Sequence, residues 1–396
     1  MSAALNAIAS SNVLIVIPSV RFSRQGDLLF LDIKAVEGLR LYAKLWPGLV
    51  RCLLRSGPPD SIGYGKLYHP SELPFEVHEI YDDISKSKAL LDNSAVILAS
   101  GDNFHDLPIY KITKTPVVFV IEYDLNTRLK IVDLETTGTF KKFKSAIWNL
   151  KTEFLRRRAF RHAAGLQANG TPAHKLYGSL TKSSLLYFDS RITERDAVSD
   201  NEISEKKASV LHGSPLRLAF SGRLIPMKGA DHLVPIALAL ASRGVKFTLD
   251  IYGDGPLSES IRRSIQSSGM EDVIKLAGPV PFAEELVPNL KSGIDLFLCA
   301  HTQADPSCTY LETMGCGVPI VGYNNDAFTG VLALGGGGLA SPMGKPEEIA
   351  EVIVELDHDR ARLAALIDEA AALSSNHTFE KTFACRINHL RSIAGV

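Results

Sequence analysis

The sequence is poor in several things, and each shortage closes a class of function. Its five cysteines, Cys52, Cys299, Cys308, Cys316 and Cys385, are odd in number and scattered, with no C-x-x-C pair. Such spacing builds neither a disulfide framework nor a zinc site and fits free thiols in a reducing compartment. No uninterrupted apolar segment approaches the roughly 18 residues needed to cross a membrane. The opening MSAALNAIASSN has no basic stretch, and the apolar run beside it, residues 13–17, is too short for the core of a signal peptide. Net charge is nearly absent: 43 Lys and Arg stand against 44 Asp and Glu, so no bulk field argues for nucleic acid as a partner. The one glycine cluster, residues 335–338, has no G-K-[ST] behind it and reads as a flexible surface turn. No Asp-x-Asp follows a strand in the C-terminal half, so no essential metal is expected, and no cofactor. The expectation is a cytoplasmic protein that does not span a membrane.

What is present is an alternation of short β-branched runs and longer helical patterns. Residues 12–20 (NVLIVIPSV), 50–54, 94–99 (SAVILA) and 116–121 (PVVFVI) read as buried parallel strands. A polar loop, 21–27, follows the first, and a helical pattern covers 31–44. A second series runs through 216–221 (LRLAFS), 247–252, 273–277, 294–299 and 320–322. Strands alternating with helices in this way predict an α/β fold with parallel sheets. At 396 residues the chain exceeds one ordinary core, so two domains are expected. Between the two series, residues 189–214 are polar and charged and mark the boundary. The division expected is 1–210, 211–376, and a final helix, 377–396, that packs back on the first domain.

Residues 140–162 form the most charged helical pattern. Lys141, Lys142, Lys144, Lys151, Arg156, Arg157, Arg158 and Arg161 face a single acid, Glu153, with Ile147, Trp148, Leu150, Phe154 and Phe160 interleaved. A solvated surface helix accounts for this pattern. So does attraction of Lys141–Arg161 to an anionic membrane surface or a phosphorylated acceptor.

Two constellations carry chemistry. In G-R-L-I-P-M-K-G, residues 222–229, Arg223 and Lys228 stand five apart between a strand and a helix. They are either exposed surface cations or a clamp for a diphosphate, whose oxygens a guanidinium bridges and an ammonium neutralises. In residues 300–323, AHTQADPSCTYLETMGCGVPIVGY, a strand leads through a polar turn into a helix carrying Glu312. That carboxylate is either a partner for the helix dipole or a bidentate acceptor for two sugar hydroxyls.

Four blocks occur in order over residues 216–323: G-R-L-x-x-x-K-G after a strand, Y-G-D-G-P, L-A-G-x-V, and D-x-x-x-x-x-x-E-T-M-G-C-G-V-P-I-V. Together they resemble the retaining glycosyltransferases of the GT-B fold, family 4 type (glycosyl transferases group 1). The N-terminal half matches only in pattern. The resemblance implies two Rossmann-like domains facing a central cleft. It implies that Arg223 and Lys228, with Gly222 in their turn, hold the donor diphosphate, and that Glu312 binds the ribose hydroxyls. The backbone of Ser307, Cys308 and Thr309 would face the donor phosphate or sugar, and that of Pro279 and Val280 the nucleobase.

Two departures stand out. Where the family usually has a glutamate eight residues before Glu312, this chain has Ala304. Asp305 beside it either supplies that carboxylate, serves donor selectivity, or caps the helix. The family's glycine-rich loop after the first strand is missing, and Glu122 stands where a histidine is common. The catalytic set implied is Asp305, Arg223, Lys228 and Glu122, with Arg21, Asp102, Asn103 and Asp124 on the acceptor side. The activity implied is retaining, metal-independent hexosyl transfer from a nucleotide diphosphate sugar to a saccharide or polyprenyl-linked saccharide. Bacterial exopolysaccharide or lipopolysaccharide synthesis at the inner face of the cytoplasmic membrane is the expected setting. An epimerase or hydrolase of the same fold, or a degenerate transferase acting as a binding partner, are the alternatives.

Overall fold

The computed structural model describes residues 12–135, 138–304 and 306–396. The apolar runs of the second series form one six-stranded sheet. Its order is Ile274–Gly278, Phe247–Tyr252, Leu216–Ser221, Leu296–Cys299, Ile320–Tyr323 and Gly338–Ser341, and every pairing is parallel. The chain starts in the middle with Leu216–Ser221, builds outward to one side, then returns to build the other. The two strands flanking that reversal are Leu216–Ser221 and Leu296–Cys299. The crevice beyond their carboxyl ends is where open α/β sheets take their ligands. The loops that enter it, 222–229 and 300–308, are the ones carrying the two chemical constellations.

The first series forms the other sheet. Ser184–Tyr187, Gly165–Asn169, Val117–Ile121, Val96–Ser100, Leu14–Ile17 and Val50–Ser56 lie side by side in parallel. Beyond Val50–Ser56 the sheet continues differently from expectation. The polar stretch 21–27 is not a loop: Arg21–Gln25 and Leu28–Asp32 form an antiparallel hairpin, turning at Gly26 with φ 62°. Phe22, Leu29 and Leu31 are buried on one face of it, an alternation too short to stand out among polar neighbours. The helix Ile33–Leu45 follows at once, capped by Asp32, whose Oδ1 accepts from Ala35 N at 2.9 Å.

Three further expectations are revised. The polar stretch 189–214 contains a helix, Asp200–Leu211, opened by a Ser199–Glu202 capping box. It reads as linker because only a narrow face, with Lys206 and Val210, is buried, against the helix Arg360–Ser375. The glycine cluster is a surface turn only at its start. Gly337 is closely packed, since a Cβ there would lie 2.8 Å from Ala370 Cα, and Gly338 begins the edge strand. In the basic helix, Thr139–His162, Arg156 is buried, donating from Nε to Gly101 O at 3.0 Å, and Arg157 is tied to Glu153. These two cations are therefore structural and do not belong to the outer face. That face is apolar as well as basic. Phe143, Ile147, Leu150 and Phe154 recur at helical spacing and are 65%, 49%, 54% and 66% exposed.

The last helix, Phe379–Ala394, lies on the N-terminal sheet, with Phe383, Ile387 and Leu390 buried beside Tyr42, Trp46 and Leu98. The chain thus passes between the sheets twice, after Tyr187 and before Phe379. The two passages touch: Phe379 N donates to Ile192 O at 2.8 Å, and Thr382 Oγ1 to Phe188 O at 3.2 Å.

Candidate active site

The C-terminal side of the cleft is assembled by close backbone contacts. Gly229 has φ 63°, and a Cβ there would stand 1.8 Å from Ala300 O. Only glycine lets the turn after one central strand lie against the end of the other. Gly253 and Gly255 do the same for the neighbouring turn: their Cβ positions fall 2.0 Å from Gly222 O and 2.6 Å from Leu224 O. Hydrogen bonds join the loops, from Gly222 N to Tyr252 O at 3.0 Å, Leu224 N to Asp254 O at 2.9 Å and Thr302 N to Met227 O at 3.1 Å.

Lys228 is held at the crevice, donating from Nζ to Ser307 Oγ at 3.3 Å, and Arg223 is exposed at its mouth. Ser307 Oγ in turn donates to Thr309 Oγ1 at 3.1 Å. Pro279 and Val280 follow the edge strand Ile274–Gly278, the first exposed and the second half-buried. Asp305 lies outside the described residues. Ala304, beside it, is buried, and its carbonyl accepts from Thr127 Oγ1 of the facing domain at 3.3 Å.

Glu312 is buried on the seven-residue helix Thr309–Gly315 and is already engaged. Arg191, from the first passage between the sheets, donates from Nε to Oε1 at 2.7 Å, from Nη2 to Oε2 at 2.9 Å, and from its backbone N to Oε1 at 3.1 Å. The same guanidinium stacks on Phe282, 3.9 Å from the ring centroid. A planar donor pair filling both oxygens of a carboxylate is the arrangement a vicinal diol would replace. Nothing in the polar run DSRITERD sets Arg191 apart, and the sequence reading missed it. It missed Lys34 too, whose Nζ lies 2.6 Å from Asp189 Oδ2 and 3.4 Å from Cys308 Sγ. Cys308 stays a neutral thiol, because burial first, and then the charge of Asp189, raise its pKa.

Across the cleft, a cavity of about 680 Å³ reaches from Pro306 and Cys308 to the ends of the N-terminal strands. Glu122 lines it, accepting from Asn169 Nδ2 at 2.9 Å. Burial first, then the charge of Asp189, push the Glu122 carboxyl up to about 7. Asp102 and Asn103 line the cavity as well. Asp102 accepts from Glu122 N at 2.6 Å and is paired with Arg128. Behind it, Arg128 Nη1 donates to Tyr177 OH at 3.0 Å, and Tyr177 OH to Glu153 Oε2 at 2.8 Å. A buried network thus ties the cleft floor to the inner face of the basic helix. Two acceptor-side candidates fall elsewhere. Asp124 is buried and caps the following helix, accepting from Thr127 N at 2.7 Å. Arg21 lies on the hairpin and donates to Ser56 O at 2.9 Å, outside the cavity lining.

Residues 201–373 match the family model described as Glycosyl transferases group 1. The N-acetylglucosaminyltransferase GtfA subunit of Streptococcus gordonii is 30% identical over 110 residues, 28% of this chain and 21% of that protein. The putative colanic acid biosynthesis glycosyltransferase WcaL of Salmonella typhimurium is 28% identical over 156 residues, 37% of this chain and 38% of that protein. The chain thus spans well under half the length of these curated relatives. Solved structures are similar along nearly the whole chain. HepE of Anabaena, solved with UDP, has a TM-score of 0.67 at 16% identity, covering 97% of this chain and all of its own. Sucrose-phosphate synthase of Thermosynechococcus elongatus has a TM-score of 0.63 at 12% identity, covering 96% and 98%. The stretch 201–373 is thus similar to glycosyl transferases group 1, in a chain with the GT-B fold.

Proposed function

We propose that this protein transfers a sugar from a nucleoside diphosphate sugar to an acceptor hydroxyl, with retention of the anomeric configuration. One observation carries the reading. At the single reversal of the C-terminal sheet, a cationic turn with Arg223 and Lys228 shares the crevice with a buried carboxylate, Glu312, whose two oxygens a planar donor, Arg191, already engages in bidentate fashion. A nucleoside diphosphate presents those complements, a diol at one end and a dianion at the other. The UDP bound to Anabaena HepE makes a uridine donor the first to test.

As the bond from the anomeric carbon to the diphosphate breaks, charge grows on the leaving oxygens. Arg223 and Lys228 stabilise it with fixed positive potential, and no metal is required for that role. The acceptor oxygen bonds to the same carbon from the same face, and its proton passes to the departing phosphate. Glu122, from the opposite wall, faces the developing cation when ionised. Closure of the two domains excludes water from the reacting pair. The acceptor is a saccharide or a polyprenyl-linked saccharide of an exopolysaccharide or lipopolysaccharide. The apolar, basic outer face of Thr139–His162 suits the anionic surface that displays a lipid-linked one.

A panel of UDP-, GDP-, ADP- and dTDP-sugars, read by thermal shift, identifies the donor, because a bound ligand raises apparent stability. With that donor and a membrane-lipid or saccharide extract, the wild type forms product in the presence of EDTA. Arg223→Ala and Lys228→Ala should each lower the transfer rate by about 10²-fold or more with little change in melting temperature. Full activity in both variants refutes the diphosphate assignment.

A further inference from the structure

The deepest wall of the cleft cavity holds a cation that the transfer mechanism does not use. Arg386, on the last helix, is 8% exposed and lines the cavity. Its Nε donates to Gln167 Oε1 at 3.0 Å, and its guanidinium lies 4.3 Å from the Tyr187 ring centroid and 5.2 Å from that of Phe383. Its two Nη atoms make no hydrogen bond or ion pair among the described residues. Beside it, the hydroxyl of Tyr42 is buried without a partner, and Tyr42 lines the same cavity. The carboxylates nearest this corner are occupied: Asp189 by Lys34, Glu122 by Asn169.

The charges of Asp189 and Glu122 favour this cation from a distance, but neither carboxylate bonds to it, and aromatic rings return only part of the lost hydration. The outer N–H groups of the Arg386 fork therefore border a space large enough for a sugar, in a corner walled in part by Leu39, Tyr42 and Phe383. A planar or tetrahedral oxyanion is what fills such a fork bidentately. The cavity also reaches Cys308 on the donor side, so a molecule anchored here extends toward the anomeric carbon.

We propose that Arg386 forms an acceptor subsite for an anionic substituent, the carboxylate of an acidic sugar or the phosphate of a phosphosugar. It rests on the transferase reading for the word acceptor, but not for the binding itself. Arg386 is thereby a specificity-determining residue: it selects charged acceptors over their neutral counterparts.

The test is binding without donor. Glucuronate, glucose 6-phosphate and glucose are titrated into the full-length protein, followed by ligand-observed NMR, with UDP titrated into the same samples. At least one anionic probe should bind tenfold or more tightly than glucose, and which one does so identifies the substituent. Arg386→Gln should erase that preference while leaving UDP affinity unchanged. Should that variant fail to fold, Arg386→Lys decides: it keeps the positive charge and loses the planar fork, so the anionic probe should weaken threefold or more. Equal binding of all three probes overturns the subsite, as does an unchanged preference in folded Arg386→Gln, or in Arg386→Lys where that variant decides. If no nucleotide binds but the anionic preference stands, the transferase reading fails and the subsite survives.

Discussion

The two walls of the cleft are built by different means. The C-terminal wall is a matter of backbone: Gly229, Gly253 and Gly255 let three loops lie in contact, and the side chains Lys228 and Glu312 project from that frame. The N-terminal wall is a matter of buried charge. Asp102, Arg128, Tyr177, Glu153 and Arg156 interlock beneath it, and Glu122 is oriented from above that network. Precision bought by close backbone contact tolerates no added atom. Precision from paired charges tolerates changes of shape and fails when one partner is removed.

The contrast is open to attack at both walls. The largest effect is expected for Gly229→Ala, which drives a methyl into Ala300 O from a left-handed backbone. It should cost about 5 kcal/mol in urea unfolding, enough to exhaust the stability of a typical domain. A loss under about 1 kcal/mol would show that the loops can part without harm. Next comes Arg128→Met, which takes the shared cation from half-buried Asp102 and buried Glu153 and leaves Asp102 without its ion pair. It should cost about 3–4 kcal/mol, whereas Arg128→Met with Asp102→Asn and Glu153→Gln together should recover part of the loss.

A smaller effect separates Glu122 from the rest. Its folded pKa of about 7 lies above the ordinary 4.5, so its proton stabilises the fold fully below about pH 4.5. That contribution, roughly 3 kcal/mol, disappears as pH rises through 7. Transfer activity should rise over the same range, as the carboxylate forms. Glu122→Gln should flatten the stability slope; an unaltered slope would assign it to another group. The smallest change in stability, within about 0.5 kcal/mol, is expected for Phe143→Ser with Phe154→Ser, since both side chains are exposed. Their readout is sedimentation with anionic vesicles, which should fall. Equal sedimentation would remove the membrane from the argument.

The same contrast decides what could be read from the chain alone. Backbone contact needs glycine and proline at fixed offsets from a strand, so G-R-L-I-P-M-K-G and Y-G-D-G-P were legible and placed Lys228 and Glu312 at one crevice. Four strands of the first series and five of the second were legible for a related reason, because a parallel strand covered on both faces is an apolar run. Buried charge leaves no such trace. Lys34, the pair Asp189 and Arg191, and Arg386 reach the cleft from three separate elements, and no local spacing links the three. Asp102 was singled out without its reason, which is Arg128, 26 residues away. Arg21 and Asp124 show another side of this: each is a polar residue in a cleft-side loop engaged by a partner that no local pattern announces, Ser56 O in one case and a helix N-terminus in the other. The hairpin at Arg21–Gln25 was hidden because a single inward side chain, Phe22, carries its pattern.

The paired passages between the sheets have a mechanical consequence. Because Ile192 and Phe379 are bonded backbone to backbone, the two connections act as adjacent pins of one hinge. Such a joint permits swinging about the line through the pins and resists sliding or twisting. The jaws can then separate at the mouth and return to the same alignment, with Arg386 carried on one jaw and Lys228 on the other.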